Sequence, residues 1–389
     1  MNSKLYIYSI YLLFISSMYP WFLWNTSINY LITFISVLVS ISVFAKKDNC
    51  NKNLNCKHKL YSLLLLYTII YSFRLNIFGI ANCIVNLFIW YVLLMQNNET
   101  KHKILNFVTK WFAILLCISL IFYLLWLFGI FSPPCKVLSF DDNNYESTNY
   151  YFFITQIDGR LLSFVRFQSI FLEPGHLIMG IVPLIIANKF DLKNMYVCIL
   201  CLCIFFSFSL AGYITFIIGY CMMRFKNNVK AVFSTFFLVG LLFVLIQKFG
   251  FEDAFNSFIF NRINEAQNTS LIDNRTSDYV EREYQNVMSS TDIFFGSSTF
   301  DNTKGEQGSS GYKVFISEHG IILFVITLLI YTYYYRKNKT YHNFVFSVVL
   351  LLLLLQNTYP SWNCIMFSYI LGSETNNKSL KNESIVNRS

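Results

Sequence analysis

The feature that most constrains this chain is a succession of apolar runs, each close to the length that crosses a bilayer. A helix needs about 20 apolar residues to cover the ~30 Å hydrocarbon core. Such runs lie at 5–22, 28–45, 60–73, 77–95, 110–131, 171–187, 195–208, 210–223, 231–248, 313–335, 343–356 and 360–372. Only 13% of the residues are charged and 55% are hydrophobic, against roughly 25% charged in a soluble domain. The expectation is an all-α polytopic membrane protein of about 12 transmembrane helices. It forms a single integral membrane domain over 1–389.

Three stretches, 60–95, 195–223 and 343–372, read either as one long helix or as two shorter ones. Charge separates the alternatives, because basic residues gather in cytoplasmic loops. The first Lys-rich loop, with Lys46, Lys47, Lys52, Lys57 and Lys59, is placed inside. The later basic loops around Lys101, Lys189, Arg224 and Arg336 share that side only if each of the three stretches is a hairpin of two spans. Both termini are then cytoplasmic, and 5–22 is a first span that stays. The net charge of +9 follows from this loop bias, so it does not point to nucleic acid. The ten cysteines show no extracytoplasmic disulfide framework.

The same topology leaves two large extracytoplasmic loops, 132–170 and 249–312. Loops of this length usually carry function or are disordered. The second has helical potential from Ile263 to Met288, which puts Tyr279, Arg282 and Glu283 within a turn of one another. Lysine is swept inside, but Arg74, Arg160, Arg166, Arg262, Arg275 and Arg282 stay outside. Arginine makes forked contacts to phosphate and carboxylate; pairing with the acids of the same loops is the alternative. Ionisable residues are nearly absent from the spans, unlike pumps and ion-coupled transporters.

Polar chemistry is densest at Arg166–His176, where the first large loop meets a span. Pro174 suits the first turn of a helix, and that helix would aim free N–H groups and its positive end outward, towards an anion. Glu173 either caps this helix or serves as a general base or organiser of Arg166. His176, in the first turn, is either an interface histidine or a catalytic one. The aromatics Tyr279, Tyr284 and Tyr312 either stack on sugar faces or pack at the interface. Asp141-Asp142 reads as a solvated acidic loop, and no metal or other cofactor is expected.

These residues carry a resemblance. The stretch Arg166-x-x-Ser169-x-Phe171-x-Glu173-Pro174-Gly175-His176 resembles the Arg…Gly…Phe-x-Glu-Pro stretch of O-antigen and capsule repeat-unit polymerases, the Wzy type. Phe294-Phe295-Gly296 and Glu318-His319-Gly320-Ile321 look like that family's Leu-x-Gly and Glu-x-Gly-Ile/Leu elements. Leu355-Gln356-Asn357-Thr358-Tyr359-Pro360 is similar to its late Gln-Arg/Asn-x-Tyr turn. This chain departs at Ser169, where the family often has Gly. It also has no histidine in Gly308–Tyr312, where the related O-antigen ligases carry one.

The resemblance implies a GT-C-like fold in a bacterial inner membrane. The implied activity is a metal-independent glycosyltransferase. It polymerises undecaprenyl-pyrophosphate-linked oligosaccharide repeat units at the outer face of that membrane. Arg166 and Arg275 would grip the pyrophosphate, helped by Arg262 and Arg282, with Arg160 also binding substrate. Glu173 or His176 would orient the site or take the acceptor proton, with Tyr279 and Glu318 on the substrate. The implied partners are the lipid-linked glycan, the bilayer and a chain-length regulator, with no nucleic acid. A ligase of the same superfamily and a flippase or exporter are the alternatives.

Overall fold

A computed structural model describes residues 2–23, 28–45, 54–73, 75–140, 143–156, 165–225, 277–300, 311–356 and 361–373. Among them the helices are α1 (Asn2–Ser16), α2 (Ile28–Ala45), α3 (Leu54–Ser72), α4 (Ile77–Met95), α5 (Asn98–Leu127), α6 (Pro174–Ala187), α7 (Met195–Phe206) and α8 (Leu210–Phe225). Then follow α9 (Asp278–Met288), α10 (Gly311–Tyr331), α11 (Tyr333–Asn338), α12 (Tyr341–Gln356) and α13 (Asn363–Gly372). Four of these, α2, α4, α5 and α10, are long and apolar enough to cross a membrane. The apolar run 231–248 lies outside the described residues.

Each ambiguous stretch is two helices: α3 and α4, α7 and α8, α12 and α13. Local chemistry shows where two of the breaks fall. The Asn76 side chain accepts from the Gly79 N–H and starts α4. Between α7 and α8, Phe208 takes φ 45°, a backbone that a continuous right-handed helix cannot contain. α5 begins earlier than the apolar run 110–131 suggests. Asn97 caps it through the Thr100 N–H, and the exposed pair Glu99–Lys103 lies one turn apart in its first turns, the spacing that supports a polar helix start.

The largest departure is a sheet in the first long loop. Strands β1 (Lys136–Phe140), β2 (Asn143–Asn149) and β3 (Ile154–Gln156) form an antiparallel meander in the order β1-β2-β3. It rests on the C-terminal end of α5. The Phe152 ring stacks on Phe122 at 4.1 Å, and buried Phe153 meets Tyr123 and Trp126. The Ile154 N–H donates to the Ser169 carbonyl at 2.8 Å. The sheet edge therefore ties directly to the Arg166–His176 stretch.

The centre of the bundle is α6, buried at every position from Leu177 to Ala187. It packs against α7, α8, α12 and α13. Small residues set the closest approaches, as they do in membrane bundles. Gly180 faces the Met18 side chain, Gly212 of α8 faces Ile178, and Gly372 faces Ala187. The helices α6 and α13 run parallel: Gly372 meets Ala187 at their C-terminal ends, and Trp362 meets His176 at their N-terminal ends.

Candidate functional site

The N-terminal ends of α6 and α13 make a common mouth, and the chain leaving α1 closes it. Pro20 bridges to Phe171, and the Trp21 N–H donates to the Ile170 carbonyl at 3.0 Å. The Trp21 indole reaches the Tyr151 carbonyl at 3.3 Å. Residues 168–171 are thus held between the α1 exit and the β-meander. That holding permits Ser169 a left-handed backbone, φ 55°, which costs a non-glycine residue about 1–2 kcal/mol.

Arg166 is half-buried between two anchors. The Tyr123 hydroxyl donates to the Val165 carbonyl at 2.6 Å. On the other side, the Phe167 N–H donates to the Phe206 carbonyl at 3.0 Å, and the Phe167 ring is buried against Tyr123. The residue is therefore fixed in position where α5 and α7 end.

Glu173 occupies the N-cap position of α6, with extended backbone, and Pro174 fills the first helical position. Its side chain makes no cap bond and is exposed. Of its two readings, side-chain capping does not occur. His176 lies in the first turn, half-exposed, its ring 4.9 Å from Trp362 and 6.1 Å from Tyr19. Tyr19 and Trp362 are themselves 5.5 Å apart, edge to face. Gln356, the last residue of α12, brings its Nε2 to 3.4 Å from where a side chain on Gly175 would begin. Two buried polar atoms here, His176 Nδ1 and Gln356 Oε1, have no hydrogen-bond partner among the described residues. Gln168 Nε2 and Ser169 Oγ, just before the helix, share that condition.

This mouth is sunk into the bundle. Asn363, at the start of α13, accepts from the Trp90 indole at 2.8 Å and donates to Asn86 at 3.0 Å. Asn86 and Trp90 lie midway along α4 (Ile77–Met95). At 1.5 Å per residue, the 10-residue α13 is ~15 Å long and the 14-residue α6 ~21 Å. Both fall short of a ~30 Å hydrocarbon core.

A second polar region forms around α9 and α10. Gly320 sits inside α10 with φ 78° and kinks it. Gly296, in the turn after α9, has the same φ of 78°. The two glycines lock together. A side chain on Gly296 would come within 3.0 Å of the Glu318 carbonyl, and one on Gly320 within 3.0 Å of the Phe294 carbonyl. The Ser297 N–H donates to the Ser317 carbonyl at 2.8 Å. Lys313, buried in α10, pairs with Glu281 of α9 at 2.5 Å and lies over the Tyr284 ring. Glu318 is half-buried beside the kink, its Oε2 3.5 Å from His319 Nε2. The His319 ring packs between Tyr71 and Phe315. Tyr71 stacks on Tyr67, whose hydroxyl lies toward Ser361, next to Trp362. A row of three rings, His319, Tyr71 and Tyr67, therefore runs from the kink towards Ser361.

Of the candidate residues, Glu173 and His176 meet at the mouth, with Arg166 ten residues or fewer before them in the same anchored stretch. Tyr279 stacks on Phe300 at 6.1 Å, and Arg282 is exposed on α9. Tyr284 and Tyr312 meet edge to face at 6.3 Å. Arg160, Arg262 and Arg275, with Arg74 and Asp141-Asp142, lie outside the described residues. Motif reading missed Tyr19 and Trp362. Their signal was present: each is an aromatic beside a Tyr-Pro step, Tyr19-Pro20-Trp21 and Tyr359-Pro360-Ser361-Trp362, at the end of an apolar run. Comparison with protein families, curated proteins and solved structures finds no match to this chain.

Proposed function

We propose that the chain is a repeat-unit polymerase of the Wzy type, a glycosyltransferase acting on undecaprenyl-pyrophosphate-linked oligosaccharides at the outer face of a bacterial inner membrane. The proposal includes twelve spans, cytoplasmic termini and two extracytoplasmic loops at 132–170 and 249–312. The observation that carries it is pairwise contact between motifs remote in sequence. Gly175 of the first motif meets Gln356 of the last. Gly296 meets Glu318 and Gly320 meets Phe294, so the two middle motifs also join. The left-handed backbone at Ser169 is one that the family's usual glycine adopts without cost.

In this reaction an acceptor hydroxyl oxygen bonds to the donor's anomeric carbon as the carbon–oxygen bond to pyrophosphate breaks. The bond pair leaves with the phosphate, and the hydroxyl proton passes to a base. Preorganised cations stabilise the charge that develops on the leaving group. Arg166 and Arg275 take that role, with Arg262 and Arg282 assisting and Arg160 binding substrate. Glu173 or His176 accepts the proton, as positioned carboxylates and imidazoles do in general-base catalysis. Tyr279 and Glu318 line the path of the glycan.

The decisive experiment is the surface polysaccharide profile of variant cells. Arg166→Lys keeps the charge but loses the guanidinium fork, so long chains should vanish while the protein still inserts. Full-length polysaccharide from Arg166→Ala cells would overturn the assignment. A deletion strain separates the alternatives. Single repeat units on the surface mark a lost polymerase. Loss of all repeat units marks a flippase, and polymer stranded on its lipid carrier marks a ligase.

A further inference from the structure

The mouth at α6 and α13 has a chemistry that the pyrophosphate grip does not use. Three rings, Tyr19, His176 and Trp362, meet: Trp362 is edge to face with each of the other two, which are tilted against one another. Tyr19 is 39% exposed, while Trp362 and His176 are half-exposed. The hydrogen-bonding groups beside them are short of donors to pair with. Among the described residues, Gln356 Oε1 has no hydrogen-bond partner, nor does His176 Nδ1. The Glu173 carboxylate is exposed and caps nothing. Gln356 and His176 are partly exposed as residues, and the two atoms sit just beneath that surface.

Apart from the backbone N–H groups of the two helix N-termini, the groups here suit a phosphate poorly: the unpaired side-chain atoms match its acceptors badly, and the Glu173 carboxylate would repel it. The complementary ligand is uncharged, carries several hydroxyl donors and has an apolar face to lay on a ring. A pyranose has these properties. Aromatic side chains offer large apolar faces with a polar edge, and binding sites combine such faces with a few convergent polar groups.

We infer that Tyr19, His176 and Trp362, with Glu173 and Gln356, form a subsite for one uncharged pyranose ring of the glycan, separate from the residues that hold its pyrophosphate. The identity of the glycan rests on the polymerase reading; the preference for a sugar ring over a phosphate rests on the mouth itself. Glu173 and Gln356 accept hydroxyl hydrogen bonds from the ring, and Trp362 and Tyr19 cover its faces.

The test is saturation-transfer NMR on the full chain in nanodiscs. The probe is the lipid-free repeat-unit oligosaccharide, released by mild acid from the polysaccharide of cells that make this protein. The wild-type protein should bind it. Trp362→Ala should weaken binding roughly tenfold, and Trp362→Phe should keep most of it. Arg166→Ala should leave binding of this phosphate-free probe intact. If Trp362→Ala fails to fold, Tyr19→Ala carries the same test at an exposed ring. Unchanged binding in the alanine variants overturns the subsite, as does competition by inorganic pyrophosphate for the same signal. If the oligosaccharide binds through Trp362 but a deletion strain still makes full-length chains, the polymerase reading falls and the sugar subsite stands.

Discussion

The mouth at α6 and α13 and the joint between α9 and α10 are both polar regions at helix ends, but they are built in opposite ways. At the mouth, side chains do the shaping, and several polar atoms lack partners. At the joint, backbone lies against backbone across Gly296 and Gly320, and the buried cation Lys313 has its carboxylate partner in Glu281. Protein interiors leave few buried polar groups unpaired. Among the described residues, buried polar atoms lack hydrogen-bond partners in both regions, Ser317 Oγ at the joint among them, so what separates the two is that the joint is closed by backbone and an ion pair, while the mouth is lined by partly exposed side chains. The first is a receptacle, and the second is the fitting that fixes α9 and Glu318 in place.

This contrast can be broken most forcefully at the joint. Gly320→Ala or Gly296→Ala adds a side chain at φ 78° that would overlap a carbonyl. Either should cost about 2–5 kcal/mol, read as a fall in melting temperature of the detergent-solubilised protein. The double variant should cost less than the sum, because both substitutions strike one contact. A wild-type melting curve in both single variants would show that the joint is not fixed by its glycines.

The ion pair sharpens the comparison next. The Lys313 side chain is 5% exposed and that of Glu281 is 39% exposed. Glu281→Gln strands the buried charge and should destabilise by about 2 kcal/mol, after allowing for solvent screening on the carboxylate side. Lys313→Met should cost less, because the freed Glu281 can reach water. The reverse order in a thermal-shift series would contradict the burial argument.

The smallest effect is expected at the mouth, with opposite sign. Ser169→Gly relieves a left-handed backbone and removes a buried hydroxyl without a partner. It should raise stability by about 1 kcal/mol and leave polysaccharide length unchanged. Lowered stability would mean that the Ser169 hydroxyl is engaged after all.

Most helices were legible because hydrophobic length is a strong signal: every predicted run within the described residues contains a helix. What stayed hidden has specific causes. The β-meander at 136–156 is anchored by Phe152 and Phe153 on α5, a tertiary contact with no periodic signature. The kink at Gly320 lies inside an apolar run whose pattern is unbroken on either side. The joining of Tyr19 to His176 spans most of the bundle, and only the Tyr-Pro steps marked it. The contacts among the motifs are pairings across long separations, which no local pattern carries. Three of the candidate arginines, Arg160, Arg262 and Arg275, lie outside the described residues.

The Gly296–Gly320 joint also sets an order of events as the chain is made. Apart from the local turn bonds to Thr291 and Asp292, residues 294–297 have nothing to dock on until 317–322 exist, because their remaining hydrogen bonds and close contacts lie there. Val280 and Val287, buried in the finished fold, wait uncovered for the same reason. Helix α9 is therefore synthesised early and seated late, only once α10 has been threaded into place behind it.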